Sequence, residues 1–297
     1  VALPLALAFG VSSGATAAAG LITAILAGVV IGALSGGSFQ ISGPTGAMSA
    51  ILVALFQKYG LEGVWIAGAL AGLILILAGI LKLGKVVSYI PTPVVTGFTS
   101  GIALIIAIGQ LDNFFGVSTK SSESAAIKVL NFFSTPLNPN WYALSIGILV
   151  VVIMLIWPKK LNNIIPSSLI GLIIALSINM IFKLPVDIIG DIPQKLILDD
   201  RLSISSFNLD ILKSVLVPAI SIAALAMIES LLCGEVGKKM KGDTFDANRE
   251  LIAQGIGNFI IPFFGGVPAT AAIARTSVAI KSGARTRLVS MFHAVFL

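Results

Sequence analysis

Glu229 lies inside the apolar run Ala226-Met227-Ile228-Glu229-Ser230. An ionisable group at that depth in lipid is costly to keep and marks a functional site by default. A carboxyl that gains and loses a proton beside an anion site is suited to proton coupling. The bland alternative is a structural ion pair with Arg275. A second kind of chemistry is written in the backbone. Ser42-Gly43-Pro44-Thr45-Gly46-Ala47 and Gly265-Gly266-Val267-Pro268-Ala269-Thr270-Ala271 each lead into an apolar segment of only 12 residues, 45–56 and 269–280. As a helix, such a segment covers about 18 Å of a hydrocarbon core about 30 Å thick. Proline suits the first helical turn, where its missing N–H is not needed, and an extended stretch is expected just before each proline, over 38–42 and 263–267. Two half-helices that begin at mid-membrane expose unpaired N–H groups and a positive dipole end. Facing ends of this kind bind an anion without many charged side chains. Gly46, Ala47, Ala269 and Ala271 are small enough to let an anion reach the backbone, and Thr45 and Thr270 add hydroxyl donors. The alternative is a pair of ordinary Gly/Pro loops between unusually short helices.

Arg275 sits six residues into the second half-helix, roughly 9 Å from its expected start. It either holds the field of the site positive or snorkels to the cytoplasmic interface. Cys233 follows Glu229 by one turn on the same face and reads as a packing residue rather than a ligand. It is the chain's one cysteine, so no internal disulfide is expected. One cysteine and one histidine, His293, make a zinc or iron site improbable. No metal and no cofactor is expected, and His293 is given no role.

These residues must be positioned by membrane-spanning helices. Hydrophobic residues make up 57% of the 297 residues and charged residues 11%, where a soluble domain carries about a quarter charged. Spans in lipid are helices or closed barrels, and stretches such as 64–81 and 143–157 are apolar all round, without the alternation of barrel strands. Eleven apolar segments are legible: about 1–14, 15–34, 45–56, 63–83, 92–114, 141–157, 167–182, 216–236, 248–264, 269–280, and one beginning near Arg285. Every second loop is basic, with Lys82 and Lys85, then Lys159 and Lys160, then Lys238, Lys239, Lys241 and Arg249, then Lys281, Arg285 and Arg287. Those loops are placed in the cytoplasm. The alternate loops hold acids such as Asp187, Asp191, Asp199, Asp200 and Asp210 and lie outside. The net charge of +6 therefore reflects topology, and nucleic-acid binding is not expected. Residues 183–212 read as a polar external loop, and 118–140 as an external loop with one amphipathic turn. The chain opens at Val1 and closes at Leu297 inside apolar runs, with no signal peptide legible, and a protein longer in both directions is expected.

Several motifs, in order, resemble the sulfate permease (SulP) family of anion transporters. They are the run from Val1 to Gly10, Ile41-Ser42-Gly43-Pro44-Thr45-Gly46, Asn248-Arg249-Glu250-Leu251-Ile252-Ala253-Gln254-Gly255-Ile256-Gly257-Asn258, and Gly265-Gly266-Val267-Pro268 with Ala274-Arg275-Thr276. The resemblance covers essentially the whole chain. It implies an all-α polytopic fold of seven plus seven inverted helices, here truncated, with a core domain (about 1–83 and 216–297), a gate domain (about 92–182) and an elevator-like motion. It places the anion between the third and tenth helices, hence at Pro44, Thr45, Gly46 and Ala47 and at Ala269, Thr270 and Ala271. The family's acidic position on the eighth helix matches Glu229. Cys233 stands where some sodium-dependent bicarbonate members have threonine, and the acid here is Glu rather than Asp. Both departures favour protons over sodium. Three further helices and a cytoplasmic STAS domain usual in the family are not in this chain.

The expected function is secondary active, proton-coupled transport of a small anion of the sulfate, bicarbonate or dicarboxylate class. The expected location is the plasma or inner membrane, and the full-length form is expected to be a homodimer. An anion channel or exchanger of the same fold is the nearest alternative. A nucleobase permease would place a second carboxylate on 269–280, which has none and carries Arg275 instead. An intramembrane hydrolase would need a Ser–His pair, an Asp pair or a metal in the membrane, so no enzyme is expected.

Overall fold

The computed structural model describes residues 2–85, 92–120, 125–136, 138–158, 161, 165, 167–188, 195–203 and 209–297. Val1, the basic pair Lys159 and Lys160, and Asp191 fall outside them. The described chain is mostly helical: α1 (Ala2–Ser12), α2 (Ala17–Leu34), α3 (Gly46–Ile80), α4 (Thr92–Gly109), α5 (Leu111–Phe115), α6 (Ala125–Ser134), α7 (Trp141–Ile156), α8 (Ser167–Phe182), α9 (Leu209–Ser214), α10 (Leu216–Lys241), α11 (Ala247–Ile260), α12 (Ile273–Lys281) and α13 (Leu288–Val295). Among the described residues, α2, α3 and α10 are long and apolar enough to cross a membrane.

The chain divides into two compact units, one of residues 2–102 and 190–297, the other essentially 103–189. The smaller unit holds α5 to α8. Asn140 caps α7 by accepting from the N–H groups of Tyr142 and Ala143. The expected single amphipathic turn in 118–140 is a ten-residue helix, α6. Lys128 on α6 pairs with Asp112, Thr119 donates to the same carboxylate at 3.0 Å, and Phe132 is buried. A buried aromatic and a satisfied carboxylate hold more helix than the polar composition suggests.

The larger unit carries the residues singled out above. Thr16 caps α2 by accepting from Ala19 N–H at 3.1 Å, and Asp246 caps α11 through Asn248 and Arg249. The second part of α3 packs on α11 and α10. The closest approach is at Gly72, where an added Cβ would lie 2.6 Å from the Gly255 carbonyl. The two apolar segments expected at 45–56 and 63–83 run on as one stretch broken at Gly60, whose φ of 67° and ψ of −172° lie outside helical space. Glycine enters that left-handed half of the map without a Cβ penalty. The first arm of α3 is therefore a half-helix.

The second half-helix departs from expectation. It does not begin at 269: α12 starts at Ile273, with Ala272 at the N-cap. Residues 263–265, in the stretch expected to be extended, are not. Ile261–Phe264 is a turn of 3-10 helix, closed by Gly265 at φ 87°. The extended residues are Thr270 and Ala271, which form β2 and pair antiparallel with β1 (Ser42–Gly43), in the register Ser42 with Ala271 and Gly43 with Thr270. Ala272 N–H continues the pairing to the Ile41 carbonyl at 3.0 Å. The two paired strands satisfy each other's backbone polar groups, which lipid cannot do. Neither proline is in a first turn, since Thr45 occupies the N-cap after Pro44 and Pro268 precedes β2. Part of the loop expected outside also docks here: Leu198 and Leu202 donate their N–H groups to the carbonyls of Phe264 and Pro262, and Leu202 is buried.

Candidate functional site

Thr45, Thr270 and Glu229 converge. The N-cap Thr45 accepts from Met48 N–H through its hydroxyl at 3.4 Å. That hydroxyl donates to Glu229 Oε2 at 2.9 Å. Thr270 Oγ1 donates to the same oxygen at 2.6 Å, and the two threonine oxygens are 3.4 Å apart. Glu229 reaches this point from the middle of α10 and is half-buried, while Thr45 and Thr270 are buried. Next along α10, Ser230 accepts from Ala271 N–H through its hydroxyl at 3.2 Å, and Gln40 donates to its carbonyl at 2.9 Å. One helix thus holds β2 and the stretch leading into β1, and it carries the carboxylate.

Both helix ends open nearby. Gly46 and Ala47 form the first turn of α3, whose N–H groups have no intrahelical acceptor. The N-cap of α12, Ala272, makes no side-chain capping bond, so the first N–H groups of that helix belong to Ile273 and Ala274. The two ends bring partial positive charge of helix dipoles to the threonine pair. The backbone donors on the second side lie some four residues later than the sequence suggests, because β2 intervenes.

Arg275 is 5% exposed. It turns inward from α12, and its Nη2 donates to the Pro44 carbonyl at 2.5 Å. A Cβ on Gly43 would stand 2.6 Å from Nη1, so the missing side chain at Gly43 makes room for the guanidinium. Nη1 has no hydrogen-bond partner among the described residues. Burial removes the snorkelling alternative. The four ion pairs among the described residues do not include Glu229 with Arg275, which removes the direct structural pair as well.

Cys233 is buried, and its Sγ donates to Thr276 Oγ1 at 3.3 Å, the same hydroxyl that accepts from Ile41 N–H at 3.1 Å. It braces the ladder from behind, and its sulfur is engaged away from Glu229. His293 is half-buried and has no assigned role. Among the described residues no three His, Cys, Asp or Glu side chains group as metal ligands.

Three residues of this neighbourhood were quoted above only as part of a motif. Glu250, Gln254 and Asn258, all fully buried on α11, contact the lead-ins to both half-helices. Asn258 takes both backbone groups of Ala269: its Oδ1 accepts from Ala269 N–H at 2.7 Å and its Nδ2 donates to the Ala269 carbonyl at 2.9 Å. The signal available in the sequence was polar residues at i, i+4 and i+8 in an apolar segment, which share one helix face.

Helices of this length and composition, two of them entered through a short strand ladder, define an all-α polytopic membrane protein. The profile of the sulfate permease family matches residues 1–297, and the chain belongs to that family. It is 36% identical over 301 residues to the putative sulfate transporter YvdB of Bacillus subtilis, covering 99% of this chain and 56% of that protein. It is 33% identical over 311 residues to the bicarbonate transporter BicA of Picosynechococcus, covering 100% of this chain and 54% of that one. The chain thus spans about half the length of these relatives, which are named as transporters and not as enzymes. The transmembrane domain of a cyanobacterial BicA superposes with a TM-score of 0.87 at 32% identity, covering 99% of this chain and 77% of that one. SLC26A9 shares the fold, with a TM-score of 0.85 at 19% identity over 99% of this chain and 50% of that one.

Proposed function

We propose that the protein carrying this chain is a secondary transporter of a small anion, bound where the first turns of α3 and α12 meet Thr45 and Thr270. The observation that carries this reading is the convergence of both threonine hydroxyls on one Glu229 oxygen. Each hydroxyl has a single proton to donate. A hydroxyl that turns to a bound anion leaves the carboxylate. Arrival of the anion then removes two donors from Glu229 and sets a like charge beside it, so anion binding favours proton uptake there. By reciprocity a proton on Glu229 favours anion binding. The carrier crosses with both or with neither, which is proton–anion symport. Arg275, lodged on the Pro44 carbonyl, keeps the field positive without an acidic partner in contact.

The substrate class is an oxyanion or small carboxylate that backbone N–H groups and hydroxyls can surround. The names of the sulfate and bicarbonate relatives support it. Protons rather than sodium fit a site in which Cys233 is turned to Thr276. Residues about 1–83 and 216–297 would move as the core against a gate of about 92–182, elevator-like, in a plasma- or inner-membrane protein of the seven-plus-seven inverted plan that is a homodimer at full length. The test is uptake into proteoliposomes of the full-length protein at fixed anion concentration, with and without an inward proton gradient. Wild-type uptake rises with the gradient. Glu229→Gln, fixed as a mimic of the protonated form, still binds anion but no longer responds. A wild type indifferent to the gradient, or a Gln variant that follows it, overturns the coupling assignment.

A further inference from the structure

We infer that the buried side chains of Glu250, Gln254 and Asn258 form a positioning ladder that sets the distance between the two halves of the anion site. The inference rests on the site assignment above and extends it to residues that do not touch the anion. The three lie at i, i+4 and i+8 of α11, so they stack along one face with a rise of about 6 Å per rung. All three are fully buried.

Each rung grips a different piece of the lead-ins. Glu250 Oε2 accepts from the Ser35 hydroxyl at 2.6 Å and from Gly36 N–H at 2.9 Å, where the chain leaves α2. Gln254 Nε2 donates to Glu250 Oε1 at 2.8 Å and to the Ser42 hydroxyl in β1 at 2.9 Å. Asn258 holds the N–H and the carbonyl of Ala269 together, one residue before β2. Asn258 thus substitutes for a neighbouring strand at a position where β1 has ended. The strands at the crossing are only two residues long, too short to fix their own register by backbone pairing alone. A side-chain amide that engages both backbone groups of Ala269 fixes it in register and azimuth. Slack at Ala269 would pass directly to Thr270 and to its bond with Glu229.

The ladder also accounts for a fully buried carboxylate that the transport cycle does not use. Glu250 meets three donors, which compensates its desolvation, and it anchors the end of the stack nearest the α11 N-terminus, where the helix dipole favours negative charge.

A residue that positions Thr270 is distinguishable from one that only supports the fold, because its effect on affinity vanishes once Thr270 can no longer act. Sulfate, bicarbonate and chloride are titrated in turn onto the full-length protein as wild type, Thr270→Val, Asn258→Ala and the double variant, with thermal melting as the record of folding. Asn258→Ala is expected to weaken binding of the preferred anion about tenfold or more. The double variant is expected to bind no more weakly than Thr270→Val alone. Effects that multiply in the double variant, or unchanged affinity in Asn258→Ala, overturn the ladder while leaving the site in place. Unchanged affinity in Thr270→Val overturns the site and the ladder with it. Should Asn258→Ala not yield folded protein, Gln254→Met severs the rung to Ser42. It is then compared in the same way with Thr45→Val, and the same outcomes decide.

Discussion

Arg275 shows at the scale of one residue how an apolar interior can hold a charge for use. Its guanidinium leans on a carbonyl, in space left by Gly43, and Nη1 is a buried donor with no partner among the described residues. A hydrogen bond to a charged group contributes about 1.5–3 kcal/mol. Arg275→Gln removes the charge and keeps much of the shape, and anion affinity is expected to fall about tenfold, or about 1.4 kcal/mol. Water and counterions are kept from the group, so the loss measured between low and high salt should stay nearly constant. A deficit that disappears in salt would return Arg275 to a surface role. Gly46 and Ala269 no longer make an equivalent pair. Gly46 opens the first turn of α3, so Gly46→Leu is expected to abolish anion binding. Ala269 is packed among Leu26, Ile31, Ala253 and Ile261. Ala269→Leu should therefore act first on stability, by about 1–3 kcal/mol in a melting or denaturant series.

At the scale of elements, the two lead-ins were legible because proline and glycine punctuate apolar sequence in few ways, and twelve apolar residues are too few to span. Their internal geometry was not legible. Thr45 follows Pro44 directly into a helix, whereas Thr270, two residues after Pro268, lies in a strand. The difference comes from tertiary partners distant in sequence: Gly43 pairs with Thr270 and Ser42 with Ala271, while Asn258 and Ser230 take backbone groups on either side. No local pattern encodes a ladder whose strands are more than two hundred residues apart. The same holds for the partner of Cys233: sequence alone reads it as a packing residue, and only the fold brings its sulfur to Thr276. Glu229 was legible as soon as depth was considered. Its two threonine donors were not, because they come from the two broken helices and meet only in the fold.

For the whole molecule, the charge alternation of the loops predicts a definite orientation. Lys239, in the basic C-terminal turn of α10, is placed on the cytoplasmic side, and Lys195, in the loop before α9, outside. Both are exposed, and the one cysteine in this chain is buried. Single cysteines introduced as Lys239→Cys and Lys195→Cys should label with an impermeant thiol reagent from opposite faces of oriented vesicles. Labelling of both from one face would contradict the segment order that puts the half-helices at equal depth. On the proposed reading, a shared depth is what would let two helix ends, two hydroxyls and a carboxyl act on one small ion.

The most direct test of that arrangement is to locate the anion itself, by anomalous diffraction from crystals of the full-length protein grown with selenate or bromide. The account predicts a peak within hydrogen-bonding reach, about 3–4 Å, of the Thr45 and Thr270 hydroxyls and the first-turn N–H groups of α3 and α12. A peak elsewhere in the membrane region, with these groups bonded only to Glu229, would contradict it.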